Sequence, residues 1–172
     1  MSRKTKKLTQ LALLTAVSLV IFVAEAQIPP VVPIPGVKLG LANIITLVAM
    51  AAMGRKEALA VFFVRVLLGS AFAGGVPALL FSLAGGFCAW AVMTALLGVF
   101  GRKLIWVTSI FGALGHNAGQ LVAAVLILRT PSILYYGFAL AAAGVLTGAF
   151  TGLAAKAVLS RWKLPPPAGG GS

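Results

Sequence analysis

The chain has 172 residues, of which 60% are hydrophobic and 9% are charged, and its formal net charge is +12. A soluble globular domain carries roughly 25% charged residues, so this composition excludes a water-soluble fold and predicts a protein integral to a membrane. The only acids are Glu25 and Glu57, and there is one histidine and one cysteine, which excludes most magnesium and zinc chemistry because both metals need clustered ligands. We therefore expect no enzymatic activity, no catalytic residue, no metal and no cofactor.

Segment length and charge placement predict six membrane-spanning helices in a single domain, residues 1–163. A proline-rich connection, residues 28–36, follows the first span and cannot form a regular helix. The 36 residues from Val66 to Gly101 are uncharged. They would form a helix of about 54 Å, longer than the ~30 Å hydrocarbon core, so we place a break at residues 73–77. The predicted spans are residues 8–27, 37–53, 58–72, 77–100, 104–128 and 132–159.

The Lys and Arg residues predict the orientation of this bundle. With six spans both termini lie on one side, and eleven of the 14 basic residues fall there, against Lys38 and Arg129 on the other side and Arg65 in mid-span. This asymmetry places both termini in the cytoplasm and the proline-rich connection outside. It also accounts for the net charge without nucleic acid, which we do not expect the chain to bind. Residues 164–172 are predicted to be a disordered tail or an added linker.

Polar and ionisable groups inside the spans are candidates for a ligand site because they are costly in a membrane. Arg65 lies ten residues beyond Arg55, which corresponds to about 15 Å along a helix and to the bilayer centre. The other candidates lie at mid-depth or nearer the outer end, so we expect the site to open to the outside. The predicted ligand-binding residues are Glu25, Lys38, Asn43, Arg65, His116, Asn117 and Gln120. Acting together, the cations would favour a phosphate, diphosphate or carboxylate.

Each of these candidates also has a purely structural interpretation. Arg65 could pair with a carboxylate or with helix-end carbonyl groups, and His116 and Asn117 could join helices by hydrogen bonds. Lys38 could extend its ammonium group to the interface, and Arg129 is interpreted as an interfacial anchor. The sequence leaves these alternatives open.

Small residues spaced four apart mark three helix faces. The glycines are Gly144, Gly148 and Gly152 in the sixth span and Gly115 and Gly119 in the fifth. We expect them to pack helices together within the chain, because a missing side chain lets two helices approach closely. Ala12 and Ala16 form a smaller face on the first span, where packing within the chain and docking of a partner are both open.

Two runs of sequence resemble a known family. They extend from Glu25 to Asn43 (EAQIPPVVPIPGVKLGLAN) and from Gly112 to Gln120 (GALGHNAGQ). Both are similar to the small membrane proteins of the Gx transporter family, which are also called heptaprenyl diphosphate synthase component I, and the likeness covers residues 8–159. That family looks related to the S components of energy-coupling-factor (ECF) vitamin transporters, which are six-helix substrate-binding proteins with cytoplasmic termini.

The resemblance implies an S-component-like bundle in the inner membrane of a bacterial cell, with the ligand held under a lid. By this likeness Ala12 and Ala16 would dock on a transmembrane coupling subunit that works with ATPase subunits. The prolines of the lid would reduce the entropy lost when it closes. The lid residues would be Pro29, Pro30, Pro33, Pro35 and Gly36. The synthase name implies an aspartate-rich magnesium site, and this chain has no aspartate to form one.

These observations favour a membrane substrate-binding subunit that takes up a small anionic molecule, vitamin-like or linked to isoprenoids or quinones, with energy from partner subunits. The alternatives are a stand-alone small-solute transporter and a membrane accessory subunit in polyprenyl diphosphate or quinone synthesis. The expected partners are the ligand, membrane lipid, and coupling and ATPase subunits.

Overall fold

The structure is a computed structural model that describes residues 2–29, 33, 37–73 and 75–162, and within them the chain is all-helical, as predicted. The predicted tail at residues 164–172 lies outside this part of the chain. The helices are α1 (Arg3–Glu25), α2 (Asn43–Ala52), α3 (Arg55–Ala73), α4 (Gly75–Phe100), α5 (Ile105–Leu128) and α6 (Gly137–Arg161), with a 3₁₀ helix at Pro131–Tyr136.

Four helical segments of the described chain are long and apolar enough to cross a membrane. They are Arg3–Glu25, Gly75–Phe100, Ile105–Leu128 and the combined segment Pro131–Arg161. The third helix has 19 residues but contains Arg65 and three charged residues in its first turn. The composition of these segments supports a multi-pass membrane protein.

The second predicted span differs from the structure. A helix was expected over residues 37–53, but α2 begins only at Asn43 and has ten residues, which corresponds to about 15 Å. Gly40, with φ +79°, explains the late start, since an α-helix cannot contain a left-handed residue. Residues 37–40 have no regular secondary structure and lead into a turn that precedes the helix.

The third and sixth spans also have different ends. The break between α3 and α4 is narrower than the predicted break at residues 73–77, because α4 already begins at Gly75. Pro77 lies in the first turn of α4, where a proline removes no helical hydrogen bond. The sixth span starts with the 3₁₀ helix, and the α-helix proper begins at Gly137.

The short helix α2 lies at the centre of the bundle. It contacts each of the five other α-helices, and eight of its ten residues are buried. Among the described residues, α1 packs only on α2 and α3, whereas α5 packs extensively against both α4 and α6. The bundle is therefore built around a helix too short to cross a bilayer by itself.

Glycines set the close crossings on both sides of α5. A Cβ atom added at Gly148 of α6 would lie 2.5 Å from the Cα atom of Ile110, and one at Gly152 would lie 2.7 Å from Cα of Trp106. On the other side, a Cβ at Gly119 would lie 2.7 Å from the carbonyl oxygen of Ala84 in α4. The prediction that these glycines pack helices within the chain is confirmed.

Two apolar clusters lie at different heights in the bundle. The first gathers near the end where α1, α3 and α5 begin, and it includes Leu14, Met50, Ala58, Ile105 and Ala155. We call this the basic end, because basic residues of α1, α3, α6 and the α4–α5 turn lie there. The second cluster lies towards the opposite end. It consists of Val37, Phe81, Ala124, Ile133 and Leu140.

An ion pair joins two helices at the basic end. The ammonium group of Lys7 donates a hydrogen bond to Glu57, which holds the pKa of that carboxyl below its usual value. The indole Nε1 of Trp90 donates to the carbonyl oxygen of Arg55 at 3.1 Å. These contacts place the start of α3 beside the first turns of α1 and the second half of α4.

The close crossing of α5 and α6 predicts the effect of one added methyl group. Gly148→Ala should lower the free energy of unfolding by about 1–3 kcal/mol, because the new Cβ meets backbone that cannot rotate away. Ala142→Val, on an exposed position of α6, serves as the control and should change stability little. Thermal unfolding of both variants in detergent tests this, and equal midpoints would contradict the crossing.

Candidate ligand-binding site

Buried polar side chains form a layer between the two apolar clusters. They come from the end of α1, the segment before α2, α2 itself, the middle of α3 and one stretch of α5. We call this set the polar layer. Its members are Glu25, Lys38, Asn43, Thr46, Arg65, His116, Asn117 and Gln120. The structure thus brings all seven predicted ligand-binding residues into one region of the bundle, although they are up to 95 positions apart in the sequence.

The segment before α2 threads through this layer and is fixed by both of its neighbours. The backbone N–H of Gly40 donates to Oε1 of Glu25 at 2.5 Å, which ties the end of α1 to the segment. The backbone N–H of Lys38 donates to Oε1 of Gln120 on α5 at 3.3 Å. The carboxylate of Glu25 therefore accepts a backbone hydrogen bond and forms no hydrogen bond with Arg65. This argues against the structural interpretation in which Arg65 pairs with Glu25.

The imidazole ring of His116 lies between two glycine backbones. A Cβ at Gly40 would lie 2.6 Å from its Cδ2 atom, and a Cβ at Gly85 of α4 would lie 2.8 Å from its Nδ1 atom. The ring is 4% exposed, so it has no room to move away from either side chain. His116 thus fixes the distance between the segment before α2 and α4.

Two cations share one aromatic ring. The ammonium nitrogen of Lys38 lies 3.5 Å from the ring centre of Phe22, and the guanidinium carbon of Arg65 lies 5.8 Å from the same centre. The Arg65 guanidinium also lies 5.6 Å from the ring of Phe62 and donates to Oδ1 of Asn43 at 3.3 Å. Attraction to the ring faces stabilises cations that are removed from water.

Many polar atoms of the layer have no hydrogen-bond partner within the described part of the chain. They are Lys38 Nζ, Asn43 Nδ2, Thr46 Oγ1, Arg65 Nε, both ring nitrogens of His116, Asn117 Oδ1 and Gln120 Nε2. Native proteins leave few buried polar atoms unpaired, because each loses its bonds to water without replacement. Six of the seven predicted ligand-binding residues contribute to this set, so the layer is equipped to bind a molecule that supplies the missing partners.

Asn117 takes a partly structural role within the layer. Its Nδ2 atom donates to the carbonyl oxygen of Leu140 on α6 at 2.6 Å, as expected of an amide that joins two helices. A Cβ at Gly144 would lie 2.8 Å from the same nitrogen, so that glycine makes room for the amide. Asn117 and His116 follow one another in α5 and therefore point about 100° apart around the helix.

The remaining predicted residues that the structure describes are exposed and are not members of the polar layer. Ala12 and Ala16 are exposed on the outer face of α1, so packing within the described chain does not explain their spacing. Pro29 and Pro33 of the proposed lid are exposed and non-helical, whereas the other lid residues fall outside the described residues. Arg129 is exposed at the end of α5 with φ +50°.

Sequence reasoning missed Thr46, a member of the layer, and three further residues that shape it. Phe22 and Phe62 are fully buried and support the cations, but an apolar helix contains many aromatic residues and nothing local distinguishes these two. Gly40 lies inside the run that carried the family resemblance, between Lys38 and Asn43. A glycine among polar residues at a helix start was the signal that could have identified it.

The apolar helices and their buried polar layer define this chain as a multi-pass helical membrane protein. It belongs to the family described as heptaprenyl diphosphate synthase component I, whose profile matches residues 14–158. This confirms the resemblance stated from the sequence. A comparison with curated proteins and a comparison with solved structures each found no match. The matched region includes the whole polar layer.

The position of Gly40 predicts a stability difference between two glycines. Gly40→Ala should lower the free energy of unfolding through backbone strain and through contact with His116 and Asn43. Gly101→Ala is the matched control, because its φ of +58° gives similar strain but a Cβ there meets nothing within 4 Å. Strain alone costs about 1–2 kcal/mol, and overpacking adds about 1–3 kcal/mol. Equal losses in chemical denaturation would contradict the tight fit around His116.

Proposed function

We propose that this protein is the substrate-capture subunit of a transporter that takes up a small anionic molecule, vitamin-like or linked to isoprenoids or quinones. The observation that carries this proposal is the polar layer, in which buried donors and cations lack partners inside an otherwise apolar bundle. Intramembrane ionisable groups of this kind mark ligand or ion sites more often than structural ones. The chain itself is proposed to be non-catalytic.

The proposed topology has six crossings and cytoplasmic termini. Because α2 spans only about 15 Å, the second crossing needs the segment before it, residues 37–42, as well as the helix. The basic end then faces the cytoplasm, in agreement with the distribution of Lys and Arg. The polar layer lies nearer the other end, where the proline-rich connection would close over a ligand from outside.

Energy for uptake is proposed to come from partner subunits. The sequence contains no phosphate-binding Gly-Lys-Ser/Thr motif, which an ATPase would need. The exposed small residues Ala12 and Ala16 offer α1 a flat face that a coupling subunit could approach closely. The likeness to energy-coupling-factor S components supports this arrangement.

A ligand-retention experiment tests the capture role. The purified protein in nanodiscs is screened by native mass spectrometry for a co-purified molecule and against flavins, thiamine precursors, quinone precursors and prenyl phosphates. Arg65→Gln should weaken retention of the ligand at least tenfold, because loss of a charge-assisted hydrogen bond in a buried site costs about 1.4 kcal/mol or more. Arg129→Gln removes an exposed cation outside the layer and is the control. Unchanged retention in Arg65→Gln would contradict the site.

A second experiment separates capture from coupling. Ala12→Trp and Ala16→Trp should abolish uptake into cells that contain the partner subunits, while ligand binding by the purified variants stays unchanged. Val17→Trp is the control for a bulky side chain on this helix, because Val17 is exposed and lies about 100° or more around α1 from Ala12 and Ala16. Flux into proteoliposomes that contain this chain alone would instead make it a stand-alone transporter.

The family description favours one second candidate, an accessory subunit in polyprenyl diphosphate or quinone synthesis. In that role the chain would hold a prenyl or quinone-type lipid for a separate catalytic subunit, since its two glutamates form no aspartate-rich site. Deleting the gene would then lower polyprenyl or quinone content even when the transported nutrient is supplied in excess. A defect that the nutrient repairs fully would exclude this candidate.

A further inference from the structure

The buried charges of the polar layer do not balance. Lys38 and Arg65 bring two positive charges to the ring of Phe22, whereas Glu25 is the only carboxylate at this end of the bundle. Glu57, the only other acid in the sequence, is paired with Lys7 at the basic end. No further acidic side chain exists in the sequence to neutralise the layer. Its formal charge is therefore one positive unit.

The carboxylate of Glu25 bonds to backbone and forms no ion pair within 4.0 Å with Lys38 or Arg65 in the described part of the chain. It accepts the N–H of Gly40, and the described residues contain one ion pair within 4.0 Å, Lys7–Glu57. The cations are thus stabilised by aromatic faces and by one amide oxygen, that of Asn43. A buried charge without an opposite charge is unfavourable, so an anion that enters the layer is held more strongly than a neutral molecule.

The unpartnered atoms of the layer are mainly donors. Lys38 Nζ, Asn43 Nδ2, Arg65 Nε and Gln120 Nε2 can only donate, whereas Asn117 Oδ1 can only accept. A molecule that satisfies this set must accept more hydrogen bonds than it donates. Oxygen-rich anions meet that requirement.

We propose, building on the proposed function, that the ligand is a monoanion whose single carboxylate binds between Lys38 and Arg65, with a neutral body that accepts hydrogen bonds from Gln120. One carboxylate brings the charge of the layer to zero. A phosphate dianion would reverse the imbalance to one negative unit, and a diphosphate would leave a still larger buried negative excess. Under this proposal the ligand is not one of the diphosphates that the family description suggests.

A matched series of probes tests the charge preference. The full-length protein in a chloride-free buffer is titrated with 4-hydroxybenzoate, 4-hydroxybenzamide, 4-hydroxyphenyl phosphate and isopentenyl diphosphate, and binding is read from the shift in its unfolding midpoint. The carboxylate should bind at least tenfold more tightly than each of the other three. Decanoate distinguishes a soluble carboxylate from a lipid one, and tighter binding of decanoate would assign the site to a fatty acid carboxylate.

Two charge variants provide the internal comparison. Glu25→Gln keeps an oxygen that can accept the N–H of Gly40 but raises the charge of the layer to two units, so it should shift the preference towards the phosphate probe by about tenfold or more. Glu57→Gln makes the same change in net charge at the basic end and should leave the preference unchanged. If Glu25→Gln does not fold, the probe series on the unmodified protein still tests whether the site prefers a monoanion.

The outcomes distinguish this inference from the proposed function. Tighter binding of the phosphate or diphosphate probe, or a co-purified phosphate ester found by native mass spectrometry, would overturn the monoanion and leave the capture role intact. Equal binding of the amide and the carboxylate would also overturn it. If no probe stabilises the protein and no small molecule co-purifies, both the inference and the capture role are wrong.

Discussion

The burial of α2 is the constraint on which the rest of the bundle depends. The interior of a membrane offers no water to a polar group, so polar atoms on a central helix are costly unless neighbouring groups satisfy them. This helix contacts all five other α-helices and brings Asn43 and Thr46 into the interior. The surrounding helices therefore do two things at once. They keep lipid away from α2, and they deliver Arg65 and Gln120 to the layer at its start.

Close approach of backbone, more than hydrogen bonding, assembles the polar layer. His116 fits between Gly40 and Gly85, and Gly148 brings the backbone of α6 onto α5. Phe22 adds a rigid apolar surface on which two cations rest without a carboxylate partner. The walls of the layer are therefore rigid, and the proposal of a ligand site rests on the unpaired donors that they surround.

An uncompensated charge inside a membrane protein links ligand binding to stability. An anion that binds the cations of the polar layer in the folded protein and not in the unfolded chain would stabilise the fold by an amount that grows with the ratio of its concentration to its dissociation constant. The family description names a component of a diphosphate synthase, whereas this chain has two acids and no aspartate.

The sequence by itself determined the protein class, the helical content, the glycine contacts and the identity of most polar residues in the layer. These are local properties, because hydropathy over about 20 residues fixes a span and a spacing of four fixes a helix face. Charge counting is equally local, and it already indicated an anionic ligand.

Only the tertiary structure decided that α2 is short, that Asn117 bonds to α6 and that Ala12 faces outward. It also decided that Glu25 bonds to the backbone of Gly40 and forms no ion pair within 4.0 Å with either cation among the described residues. These features depend on which residues, separated by tens of positions, pack against each other. A uniformly apolar sequence contains little information about such pairs, because almost every helix face could be buried equally well.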